Sequence, residues 1–148
     1  LDCPNLASSF ETRSGWRLQE GWGIAIGYHY LGGHEATPWP VVGNVTNLWI
    51  SPQTASEDPS LVVAADLNVY CYGSQQILAP HTGGGFRIRE SDYFDNHAEA
   101  FSQTPASIGG QGGNIGTLDG AVRWKHMRQM RTYRASQYYE AEGAFGMW

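Results

Sequence analysis

The sequence predicts an α+β domain in which antiparallel strands dominate, and three observations lead there. Runs rich in aromatic and β-branched residues recur at strand length, as at 22–31 and 61–65. A glycine-rich stretch feeds a tight hairpin over 109–124. One late segment, 125–139, holds neither Pro nor Gly and suits a short helix. At 148 residues the chain reads as a single domain, 1–148, able to bury a core without metal or disulfide support.

Taken in order, residues 1–20 are polar and broken by Pro4 and Gly15, which predicts loop. Trp22 to Leu31 follows as the first strand, with Trp22, Ile24, Ile26, Tyr28 and Tyr30 on one face by alternation and His29 on the other. Gly32-Gly33 ends it. Pro38, Pro40, Pro52 and Pro59 make 34–60 a connection, with a short element at Val45–Ile50. Asn44-Val45-Thr46 fits an N-glycosylation sequon, a triplet that also arises by chance. Leu61 to Ala65 is a continuous apolar run, read as a strand buried on both faces, and Val69 to Tyr72 as a second short strand. Residues 79–99 read as loop containing one edge strand, Phe86 to Arg89.

The glycine run then delivers the chain to the hairpin. Asp119-Gly120 is read as the pair of φ > 0 residues in a type I′ turn. Ile115 and Leu118 on one arm, Val122 and Trp124 on the other, supply apolar side chains to bury. In the helical reading of 125–139, Met127, Met130 and Arg134 share a face. Tyr133, Tyr138, Tyr139, Phe145 and Trp148 form an aromatic tail expected to pack down.

Composition narrows the function. Charged residues are 16% and aromatics 13%, too apolar a mixture for disorder. The net charge of −5 argues against nucleic-acid binding by the chain as a whole. Charge is uneven, however: Arg123, Lys125, Arg128, Arg131 and Arg134 hold five of the nine basic residues. They are the candidate subunit contacts, facing acidic residues on a neighbour. The two cysteines, Cys3 and Cys71, form no CxxC pair, and in an oxidising compartment they could close one disulfide. No run approaches the ~18 apolar residues of a membrane span.

Motifs of chemistry are incomplete. His97-Ala98-Glu99 matches half of the zinc deaminase signature, but no cysteine follows Cys71 to complete it. Asp92, Asp95 and Glu99, within an acidic run from Glu90, are the weak candidate Ca²⁺ ligands; the EF-hand spacing is absent, and a solvated acidic loop is the better reading. His34-Glu35 does not extend to H-E-x-x-H, and no G-x-S-x-G elbow occurs. The glycine run lacks the Gly-Lys-Ser/Thr end of a phosphate loop. The reading is therefore not an enzyme, with no cofactor. Six tryptophans and eight tyrosines leave a glycan-binding module as the alternative, although Trp22 and Trp124 sit where a core would claim them. A hydrolase would need a cleft gathering His81, Asp92 and His97.

Several stretches together carry a resemblance. Cys3-Pro4, IGYHYLGG (26–33), LVVAADLN (61–68), LAPH (78–81), GGNIGTLDGAVRWK (112–125) and the YRAS…GAFGMW close resemble, in this order, the globular part of prepilin-type proteins. These are type IV pilin and type II secretion pseudopilin-like proteins with a C-terminal H-X9-DG region. Gly109 stands where that motif has His, so no role of that His carries over. The resemblance implies a pilin-like head, a loop-rich twisted antiparallel sheet normally packed on an N-terminal helix that this chain lacks. The chain begins Leu1-Asp2-Cys3 without Met, and an upstream segment is expected. The implied role is structural: a subunit of an extracytoplasmic filament or secretion pseudopilus, whose partners are like subunits and whose membrane contact runs only through the missing helix.

Overall fold

The computed structural model describes residues 28–34, 45–71, 76–82, 85–89, 105, 108–135 and 144–148. Over these the chain forms nine strands and one 3-10 turn. They are β1 (Tyr28–Tyr30), β2 (Val62–Asp66), β3 (Val69–Cys71), β4 (Gln76–Thr82), β5 (Gly85–Arg89), β6 (Gly112–Thr117), β7 (Val122–His126), β8 (Thr132–Arg134) and β9 (Ala144–Met147). The fold is β-rich, which corrects the α+β expectation.

Two antiparallel sheets replace the expected single sheet on a helix. One has the order β1-β2-β6-β7, the other β5-β4-β3-β9-β8. The chain passes between them at Leu67-Asn68, where Asn68 N–H donates to the Asp66 carbonyl at 2.7 Å, closing a three-residue turn. Asn68 then holds the junction. Its carbonyl accepts from Met147 N–H at 2.9 Å and from His29 Nε2 at 3.3 Å, and its Nδ2 donates to the Gly112 carbonyl at 3.3 Å. One core serves both sheets: Ala65 and Ile115 from the first meet Tyr70, Ile77, Phe145 and Met147 from the second. Burial of that shared apolar surface is the main force holding the sheets together.

Over the described part of the helix expected at 125–139, residues 125–135, the chain is instead the end of β7, a 3-10 turn (Met127–Gln129) and β8, and 136–139 lie outside the described residues. Met127 and Met130 are both buried, as the helical reading required, but a spacing of three is satisfied by one 3-10 turn. Distant backbone partners then take the amides a helix would use. Met127 N–H donates to Gln111 O at 2.9 Å, and Arg131 and Trp148 exchange N–H···O bonds at 3.1 and 3.3 Å.

The hairpin forms at the expected place with a different turn. Gly120 N–H donates to Thr117 O, and Thr117 N–H to Ala121 O, both at 2.9 Å. Leu118 and Asp119 are thus the central residues, and Gly120, at φ +82°, is the left-handed residue closing a three-residue loop. Asp119 accepts from Thr117 Oγ1 at 2.6 Å and Ala121 N–H at 3.0 Å, which stabilises this geometry over the I′ turn.

Residues 76–82, of which 79–82 were expected as loop, form β4 through Ala79, Pro80 and His81. The proline is tolerated because β3 pairs only as far as Leu78, and the β4–β5 register shifts between Ala79 and Thr82. β2 is not buried on both faces, since Val62, Val63 and Ala64 are only half-buried. In the tail, Phe145 and Trp148 are buried as expected, and Trp148 stacks on Tyr133 with centroids 4.5 Å apart.

Candidate functional site

The described surface is most distinctive beside β7. The loop expected at 1–20 lies outside the described residues, and the connection before β2 folds tightly. Glu57 accepts from the Gln53 and Thr54 amides at 3.0 and 2.9 Å. Ser60 donates through both its hydroxyl and its amide to Asp58 Oδ1, at 2.7 and 2.9 Å, which holds the Asp58 carboxyl below its ordinary range. Two backbone bonds then pin this turn to the hairpin: Leu118 N–H to Leu61 O at 2.9 Å and Asp119 N–H to Pro59 O at 3.1 Å.

Between that turn and β7 runs an open groove of about 410 Å³, lined by Ser60, Val62, Ile115, Thr117, Arg123 and Lys125 together with Trp124 and Gln129. Strand register explains the grouping. Val62 pairs with Thr117, and Ile115 with Arg123, Gly113 with Lys125, so period-2 alternation puts these side chains on one face. A second hollow of about 290 Å³ continues past Ser60, Val62 and Lys125 to Leu48, Ile50 and Tyr133. Leu48 and Ile50 are both exposed.

Electrostatically the groove is cationic. Burial, then Arg131, then Arg123 push the Lys125 pKa below its ordinary value. The only ion pair among the described residues lies elsewhere, between His81 and Asp66. Of the five basic residues read as contacts, Arg123 and Lys125 line the groove and Arg131 acts on Lys125. Arg128 is exposed beyond it, and Arg134 uses its carbonyl to accept the Trp49 indole N–H at 2.8 Å.

Two apolar expectations on β7 are corrected. Val122 is 71% exposed and Trp124 42% exposed, on the strand that ends its sheet among the described residues. Trp124 lies instead against His81, edge-on with centroids 5.0 Å apart.

Behind Trp124 is a polar centre that the sequence reading missed. Asp66, 2% exposed, accepts through Oδ2 from His81 Nε2 at 2.7 Å, Asn114 N–H at 2.7 Å and Asn114 Nδ2 at 3.0 Å. The available signal was an acid closing an apolar strand, at Asp66 after Val62–Ala65. Among the described residues no nucleophile joins this pair, and no group of three or more metal-ligating side chains forms. The Ca²⁺ candidates Asp92, Asp95 and Glu99 lie outside the described residues, as does His97 of the hydrolase alternative. The Cys3–Cys71 bridge also falls outside them, since Cys71 is described only as backbone of β3 and Cys3 not at all.

In comparisons with known proteins no family model matches the chain, and neither a curated protein nor a solved structure does.

Proposed function

We propose that the chain is the displayed head of an extracytoplasmic filament or pseudopilus subunit, a structural part that assembles with further copies of itself. The observation that carries this is β7: an edge strand with exposed Val122 and Trp124 alternating with Arg123 and Lys125. Sheet edges carrying exposed apolar side chains are contact surfaces or aggregation liabilities. The basic residues direct that contact towards an acidic surface, and the chain carries a net charge of −5 with an acidic run over 90–99. Opposite patches at different places on one subunit make a head-to-tail contact that propagates rather than closing. The order of stretches resembling prepilin-type proteins supports the same reading. The shared core between the two sheets supports a head that needs no packed helix to complete it.

The test is the gene upstream of Leu1 together with assembly of the full-length product. A leader followed by ~20 apolar residues, and filaments abolished by Arg123→Glu with Arg131→Glu, is the expected result. An ordinary secretory signal joined directly to Leu1, or filaments unchanged by the reversals, would sink the proposal.

A further inference from the structure

The groove beside β7 has two chemically different ends. At one, the hydroxyl protons are already committed: Ser60 Oγ donates to Asp58 Oδ1 at 2.7 Å, and Thr117 Oγ1 to Asp119 Oδ1 at 2.6 Å. Each oxygen therefore offers a ligand its lone pairs, backed by a carboxylate that strengthens it as an acceptor. At the other end stand donors. Lys125 has no acidic partner among the described residues, Arg123 lies alongside and within electrostatic range of Asp119, and Gln129 uses Oε1 to accept the His126 amide at 3.3 Å, which leaves its NH₂ group as a donor. Burial first, and then the nearby Arg131 and Arg123, disfavour the charged form of Lys125, a cost that an anion in the groove would offset. Val62 and Ile115 form an apolar floor between the two ends.

We propose that this groove binds an acidic saccharide, a sugar bearing a carboxylate. The carboxylate sits on Lys125 and Arg123, ring hydroxyls donate to Ser60 and Thr117, and the apolar C–H face of the ring covers Val62. At about 410 Å³ the groove falls within the roughly 300–1,000 Å³ of small-molecule sites. The hydrogen bonds that pin 59–61 to 118–119 hold Ser60 and Thr117 together at the hydroxyl end before any ligand binds. Acidic side chains of a peptide would satisfy the cations but bring no hydroxyls to the Ser60 and Thr117 oxygens. The inference shares Arg123 and Lys125 with the filament reading, but it is tested on this chain alone, so either can fail without the other.

Titration calorimetry of the whole chain with a galacturonic acid trisaccharide tests it, beside neutral galactotriose and triglutamate. Saturable binding of the acidic sugar is expected, at least about tenfold tighter than of either control, since charge-assisted bonds are the strong ones. Lys125→Met should weaken it about tenfold with thermal unfolding unchanged, and Ser60→Ala should weaken the acidic sugar without altering its salt dependence. Should Lys125→Met fold poorly, Arg123→Gln, on an exposed side chain, takes its place. No binding of the acidic sugar, equal binding of galactotriose or triglutamate, or indifference to both cation variants would overturn the proposal.

Discussion

His81 Nε2 donates to Asp66 Oδ2 at 2.7 Å, and this bond joins β4 of one sheet to β2 of the other. A carboxylate only accepts, so Nε2 carries the proton. Two Asn114 donors converge on the same oxygen. Asp66→Ala therefore strands three part-buried donors at once and is expected to cost about 1–3 kcal/mol. Asp66→Asn keeps one acceptor oxygen in the same shape and should cost clearly less. Urea midpoints of the two variants check this; equal losses would mean that shape alone, not acceptance, matters at this position.

His29 gives the fold an acid-sensitive point. Its ring lies near Gly146 and 5.5 Å from the Trp148 ring, and burial pushes its pKa from 6.5 down to about 4, partly opposed by the Asn68 carbonyl and Asp66. The folded state thus keeps His29 neutral where the unfolded chain takes up a proton. The contribution is complete above pH 6.5 and is lost as pH falls from there to about 4. The full loss is at most about 3 kcal/mol. Chemical denaturation at several pH values should show this slope, flattened in His29→Gln; parallel slopes in both proteins would assign the acid sensitivity elsewhere.

What the sequence made legible follows from the range of the forces involved. β2, β3, β5 and the β6–β7 hairpin are encoded by local apolar runs and turn residues, and they form where expected. The helix over 125–139 failed because Met127 and Met130 fit two local structures, and the decision lies with Gln111 and Trp148 far away in sequence. β4 was hidden by Pro80, which reads as a breaker unless a register shift is known to receive it. At the site, Arg123 and Lys125 stood out as a charge cluster. Ser60 and Gln129 did not, since only the folded 58–61 turn and the 3-10 turn bring them to the groove.

Two glycines of β6 separate close packing from tolerance. A Cβ at Gly112 would run into the Lys125 carbonyl and lie 2.8 Å from Trp124 Cζ2, so neither backbone nor indole can yield cheaply. At Gly116 the nearest atoms are 3.8 and 3.9 Å away, on Ala64, which is ordinary contact. Gly112→Ala should cost about 2–3 kcal/mol by overpacking. Gly116→Ala should be neutral or add about 0.5 kcal/mol by restricting the unfolded chain. Thermal unfolding of both is decisive, and similar shifts for the pair would refute the close β6–β7 approach.

The last prediction concerns what β7 is for. Val122, at 71% exposure, is the most exposed of the large apolar side chains described, and it gains little from the monomer's own core. Val122→Lys should therefore change the unfolding free energy by no more than about 0.5 kcal/mol. If the edge is a contact between copies, the same change should reduce association of the head at high concentration, because lysine on an edge strand opposes pairing. Sedimentation over a concentration series reads the second effect and urea unfolding the first. A stability loss above about 1 kcal/mol would show that β7 is covered within the monomer. Unchanged association with unchanged stability would leave the exposed valine outside any contact, and the filament interface would have to be sought on another edge.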